Sequence, residues 1–139
     1  MTVSISPKLA SAFTDDADLI GFDGSNIHGR ALIESTIRKI FDEHGKPAGP
    51  GQGAQTGTFV AAVRSVHFLT PDVAVLMAVN GSAVSGKLLP ERNSVQSLVA
   101  VRTSEGWRIA HAQTTPAQYH GQPSLAAALT KELGKLLTK

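Results

Sequence analysis

Residues 93–115 read NSVQSLVAVRTSEGWRIAHAQTT and constrain this chain more than any other stretch. Two alternating, β-branched-rich runs flank Ser104-Glu105-Gly106, and runs separated by a Gly-containing break predict an antiparallel hairpin. A two-residue turn at Glu105-Gly106 sets Ser104 against Trp107, Arg102 against Ile109, Ala100 against His111 and Leu98 against Gln113. That register sorts the side chains into two unlike faces. One carries Val95, Ser97, Val99, Val101, Ala110, Ala112 and Thr114, small and mostly apolar as a packed face should be. The other carries Gln96, Leu98, Ala100, Trp107, Ile109, His111 and Gln113, where large apolar groups mix with amides and an imidazole. This mixture suits the wall of a ligand pocket. The alternative is a face that meets solvent or a partner subunit.

Upstream, residues 7–13 fit one or two helical turns, with Pro7 in the first turn and Leu9, Ala12 and Phe13 on one side. Leu19, Ile20 and Phe22 predict a strand, and Asp23-Gly24 a tight turn into a second short strand near Ile27. Asp15, Asp16 and Asp18 are close enough for a metal or acid–base site, with capping and turn hydrogen bonds the plainer expectation. Over residues 30–44, Ile33, Ile37, Ile40 and Phe41 recur at helical period, Glu34 and Arg38 form an i,i+4 pair, and Gly45 supplies a stop. The Gly- and Pro-rich residues 45–57 predict a connection. A phosphate loop would need a strand before the glycines and a helix after them, and here the order is reversed. Residues 59–69 and 73–79 predict a second hairpin turning at Thr70-Pro71-Asp72. Residues 80–92 predict a loop with a ragged strand at its start. Pro116 ends the last strand. Ser124 caps a final helix over residues 122–139, whose Leu125, Leu129, Leu133, Leu136 and Leu137 share one side, docked on the body or on a second copy.

At 139 residues with no internal repeat, one domain is expected over residues 1–139. Apolar residues make up 42% and charged residues 17%, a globular balance. No apolar run approaches the roughly 20 residues of a membrane helix. A soluble chain without membrane contact is expected, and the opening MTVSISPKLA lacks a secretory pattern, which makes the cytoplasm the expected location. The net charge of +2 comes from 13 basic and 11 acidic residues scattered along the chain, so no basic stripe points to a nucleic-acid partner. Without cysteine there is no thiolate chemistry. The five histidines show neither HExxH nor i,i+4 spacing, so no metal is expected. No GxSxG elbow is present. Acid–base or binding chemistry by His, Asp and amide groups is what is left. His111, beside Gln96 and Gln113, is the first candidate proton carrier because imidazole titrates near neutral pH. A structural histidine is the plainer reading.

The segment FTDDAD, the helix opening GRALIESTIRKIF, the strands through VRSVHFLTPDVAVL, and NSVQSLVAVR followed by GWRIAHAQTTP resemble the SgcJ/EcaC group. That group is similar to the SnoaL-like and ketosteroid-isomerase-like superfamily, which has the nuclear transport factor fold. The resemblance spans residues 13–123. It implies an α+β, cone-shaped half-barrel in which a curved antiparallel sheet wraps around helices, with an apolar pocket at the wide end and a homodimer packed through the sheets. It also implies a small hydrophobic ligand and no cofactor. Two functions fit it. One is acid–base catalysis of isomerase, cyclase or dehydratase type on a polyketide-like carbonyl compound; the other is a non-catalytic ligand-binding or dimerisation module. In the catalytic version His111, or Asp16 from the rim, moves a proton, Gln96 and Gln113 hold a carbonyl or enolate, and Leu98, Trp107 and Ile109 form the apolar wall. Two departures matter. Relatives begin with a long helix over the pocket mouth, where this chain has a stub before Phe13. Their last strand commonly ends Gln-Asn-Thr, where this one reads Gln113-Thr114-Thr115. Isomerases that pair an Asp base with a Tyr and a protonated Asp have no counterpart here, because the sole tyrosine, Tyr119, lies beyond the last strand.

Overall fold

The structure is a computed structural model that describes residues 2–3, 7–44 and 57–137. In chain order come β1 (Thr2–Val3), a 3-10 helix (Pro7–Ala12), β2 (Phe13–Ile20), β3 (Asn26–His28), α1 (Arg30–His44), β4 (Gly57–Thr70), β5 (Val73–Val84), β6 (Lys87–Thr103), β7 (Gly106–Pro116) and α2 (Pro123–Leu137). The strands form one curved, unclosed sheet in the order β1-β4-β5-β6-β7-β2-β3, with the two-residue β1 extending the edge of a six-strand sheet. The fold is the expected α+β half-barrel. Neighbouring strands are antiparallel except β2 and β7, which run parallel. The intervening hairpins and α1 form the long connection that a parallel pair requires. The expected stop at Gly45 and the connection after it lie outside the described residues.

The periodicity read over residues 30–44 places α1 correctly. Ile33 and Ile37 are buried with Phe13, Ala17 and Ala112, while Arg38 Nη2 lies 3.0 Å from Glu34 Oε1. The carboxylates before it differ from the capping cluster expected. Because β2 starts as early as Phe13, all three are strand residues, two with partners on neighbouring segments and one with a partner on its own strand. Asp15 pairs with Arg30, Asp18 Oδ1 lies 2.7 Å from His28 Nδ1, and Asp16 accepts a 3.1 Å bond from the Thr14 hydroxyl. The turn carboxylate is Asp23, which accepts from the Ser25 hydroxyl at 2.6 Å and the Ser25 amide at 3.0 Å.

The two helices use opposite faces of the sheet. Leu98 and Ala112, paired across β6 and β7, pack with the α1 residues and define the inner face. Val60, Val79 and Val95 alternate with Ala61, Ala78 and Gln96 along their strands and so point outward, where Leu129 and Leu133 of α2 bury against them. The leucine side of α2 is therefore docked on the body through Leu129, Leu133, Leu136 and Leu137, while Leu125 is left exposed. Gln122, rather than Ser124, starts that helix: its carbonyl accepts from Leu125 and Ala126, and Pro123 takes the first position, where a missing N–H costs nothing.

Two further segments depart from the sequence expectation. Residues 80–92 are not a loop, because β5 runs to Val84, turns at Ser85-Gly86 with φ of 52° and 78°, and returns as β6. Positive φ at both turn residues matches the twist of a hairpin. The register jumps from Asn80↔Ser94 to Ser82↔Leu89, so Pro90 to Asn93 bulge out opposite Gly81, and the proline costs no ladder bond.

The second departure is the register of the β6–β7 hairpin. Its turn falls one residue earlier than expected, with Thr103 paired to Gly106, because the Thr103 hydroxyl donates to the Gly106 carbonyl at 2.7 Å and accepts from the Glu105 amide at 3.2 Å. Arg102 then faces Trp107 and Ala100 faces Ile109, which leaves the expected faces unchanged. Ala110 is an extra residue on β7, and beyond it Val99 faces His111, Leu98 faces Ala112 and Gln96 faces Thr114. One bulged residue sends every later side chain of the strand to the other face.

Candidate functional site

A cavity of about 400 Å³ lies on the inner face. Its floor comes from inward residues of four strands, including Ala61, Asn80, Gln96, Leu98, Ile109 and Ala112. Leu9 of the 3-10 helix, Phe13, Phe22 and Phe59 supply much of the apolar wall. Polar groups are few and grouped. Gln96 Nε2 donates to Thr114 Oγ1 at 3.2 Å across the β6–β7 pair. Asn80 and Ser94 are cross-strand partners, Ser82 follows Asn80 on the same face, and Arg92 stands at the exposed mouth. The described lining residues include neither a carboxylate nor an imidazole.

The residues singled out from sequence separate into three places. Gln96, Leu98 and Ile109 line the cavity. Trp107 shares the inner face but lies beyond the cavity, packed edge to face with Phe68. Past the Ala110 bulge, His111 and Gln113 point to the outer face, His111 opposite Val99 on one side and Asp18 on the other. Asp16 borders a separate polar cleft of about 560 Å³ with Thr14, Asp15, Arg30 and Arg108. Sequence reasoning missed Asn80, Ser82, Arg92 and Ser94 because residues 80–92 lacked a strand signal. The alternation Ala78, Asn80, Ser82 would have put both polar residues on one face had β5 been extended. Among the described residues no three His, Asp or Glu side chains converge as metal ligands. No helix among them is long and apolar enough to cross a membrane.

The fold is similar to that of a cystatin-like domain of unknown function from Nostoc punctiforme, 22% identical, with a TM-score of 0.68 over 95% of this chain and 82% of that one. The Aln2 protein of a Streptomyces species is 14% identical with a TM-score of 0.66, covering 84% of this chain and 80% of that one. A ketosteroid isomerase-like protein from Erwinia carotovora is 13% identical with a TM-score of 0.57, covering 81% of each chain. At such identities the likeness is one of fold. No curated protein sequence matches the chain. The profile of the SnoaL-like domain, by contrast, spans residues 6–118, taking in the 3-10 helix, α1 and all of β2 to β7, and the chain belongs to that family.

Proposed function

We propose that the chain binds a small hydrophobic, carbonyl-bearing molecule in the inner cavity, with Gln96 and Thr114 holding the carbonyl end. The observation that carries this reading is the cavity itself. Its volume of about 400 Å³ falls in the range of small-molecule sites, and its walls are apolar with a few convergent polar groups. Thr114 Oγ1 accepts from Gln96 Nε2, which leaves the hydroxyl proton of Thr114 to donate to a ligand carbonyl. Leu98 and Ile109 supply apolar contact. Binding is favoured over proton transfer by His111 or Asp16, because neither is among the lining residues. The SnoaL-like family and the resemblance to the SgcJ/EcaC group support a polyketide-like compound.

Calorimetric titration with the aromatic ketone 2-acetonaphthone tests the reading. Saturable binding is expected, weakened several-fold by Gln96→Leu and by Leu98→Ala and unchanged by His111→Ala. A ketone that fails to bind, or binding that only His111→Ala disturbs, would sink it.

A second reading, association of two copies, draws on a different observation. Val63, Val66 and Phe68, exposed by 54%, 50% and 59%, continue the inner face past the cavity as uncovered apolar surface. Such a patch is a common site of association. Sedimentation across a concentration series should show a dimer that Phe68→Glu dissociates, and a monomer throughout removes this reading.

A further inference from the structure

Resting on the cavity reading above, we infer that its ligand is a hydrophobic monocarboxylic acid, whose carboxylate is received at the mouth by Arg92, Ser94, Asn80 and Ser82.

The charge pattern separates Arg92 from the other arginines. The chain has six. Five pair with a carboxylate: Arg30 with Asp15, Arg38 with Glu34, Arg64 with Glu132, Arg102 with Asp72 and Arg108 with Glu105. Arg92 makes no ion pair among the described residues, and it borders the apolar cavity. A guanidinium keeps its charge at any physiological pH and presents paired N–H donors that match a carboxylate.

The backbone explains why this arginine stands where it does. Pro90 to Asn93 bulge away from β5 opposite Gly81, which carries Arg92 off the ladder while Ser94 rejoins it opposite Asn80. Ser82 lies two residues beyond Asn80, across the same break in register. Three polar side chains from two strands thus share with Arg92 the lining of a space whose other walls, Gln96 and Thr114 apart, are mostly apolar. Ser94 is only 4% exposed, and the side chains of Ser82, Ser94 and Asn80 make no hydrogen bond to a described residue. None of these hydroxyl and amide groups is both buried and without a partner, so they open into the cavity, where they can donate to an acceptor bound at this corner. With both hydroxyls, the amide NH₂ and a single guanidinium as donors, the corner suits a monoanion with two acceptor oxygens. A neutral molecule leaves the guanidinium unmatched, and a doubly charged phosphate has only one cation to meet it.

The test compares two molecules of nearly equal shape, 2-naphthoate and 2-acetonaphthone, by calorimetry at low and high salt on the wild-type chain, Arg92→Gln, Arg92→Lys and Ser94→Ala. Naphthoate is expected to bind about tenfold to a hundredfold more tightly than the ketone, the span of a charge-assisted hydrogen bond. Salt should weaken the acid only. Arg92→Gln should abolish the preference by weakening acid binding about tenfold or more while ketone binding persists, Arg92→Lys should keep part of it, and Ser94→Ala should reduce it. Because Arg92 is exposed, an unchanged circular dichroism spectrum and persisting ketone binding verify that its variants fold. Equal affinity for acid and ketone in the wild type overturns this inference and leaves the cavity reading standing. A preference that survives Arg92→Gln overturns it as well. If neither molecule binds, both readings fall.

Discussion

Phe68 and Trp107 meet edge to face, with ring centroids 5.9 Å apart and planes at 71°, although β5 and β6 lie between their strands. Three strand spacings amount to roughly 14 Å in a flat sheet. The rings meet because Ala74 and Ala100, the residues between them on the inner face, are small and because the sheet curls inward at this end. Arg102 stacks over the indole, 5.2 Å from its centroid, and its Nε lies 3.4 Å from Asp72 Oδ1, tying the β4–β5 turn to β6. Phe68→Ala should cost about 0.5–1.5 kcal/mol beyond its lost buried area. It should also shift the emission of Trp107, the only tryptophan. Urea denaturation followed by fluorescence measures both, and an unchanged midpoint and spectrum would show the contact to be incidental.

Gly81 lies under α2 on the outer face with little space for a side chain. A Cβ there would lie 3.0 Å from Leu133 Cδ1, 3.1 Å from Leu88 Cδ1 and 3.2 Å from Asn93 Oδ1. Leu133 is fully buried and has little room to move. Gly81→Ala should therefore destabilise the fold by about 1–3 kcal/mol through overpacking, where Gly→Ala in a strand is ordinarily mild. Chemical denaturation is the measurement, and a neutral or stabilising result would mean that α2 adjusts freely.

Asn93 and Thr130 form a partly buried polar link between sheet and helix. Thr130 donates its one hydroxyl proton to the Ala126 carbonyl at 3.0 Å, so it must accept from Asn93 Nδ2 at 2.9 Å. That leaves Asn93 Oδ1 buried without a partner. Thr130→Val strands the amide nitrogen as well and should cost about 1–3 kcal/mol. Combining it with Asn93→Leu should cost less than the two changes summed, because both ends of the bond are then removed. A double-mutant cycle on denaturation free energies decides this, and strict additivity would contradict it.

Asp23 titrates below its ordinary value of 3.8, held down first by the Ser25 hydroxyl and then by the Ser25 amide. A carboxyl with a depressed folded-state pKa adds stability above its unfolded pKa and loses it as pH falls through the folded value. Ser25→Ala should raise the Asp23 pKa towards 3.8 and reduce the loss of stability on acidification in that window. Carboxyl carbon shifts followed by NMR report the pKa directly, and a value unmoved by the substitution would assign the shift to another cause.

Helical period and turn chemistry are local, and they were legible in the residues themselves. The Ile33 and Ile37 spacing located α1 and its buried stripe, the leucine spacing located α2, and Pro71-Asp72 marked the β4–β5 turn. Gln96, Leu98 and Ile109 were recognisable as candidate wall residues because alternation holds along β6 and up to Ile109 on β7. Tertiary structure alone decided what followed. The extra residue Ala110 leaves no mark in composition or period, yet it turns His111 and Gln113 away from the cavity. The Pro90 to Asn93 bulge likewise depends on how β6 meets β5, and it moves Arg92 to the cavity mouth. Side-chain alternation is a property of one strand, whereas the face each residue presents depends on a running count of paired residues across several. A single insertion in that count reverses the face at almost no local cost, so most of the elements could be read from the chain while only part of the site's membership could.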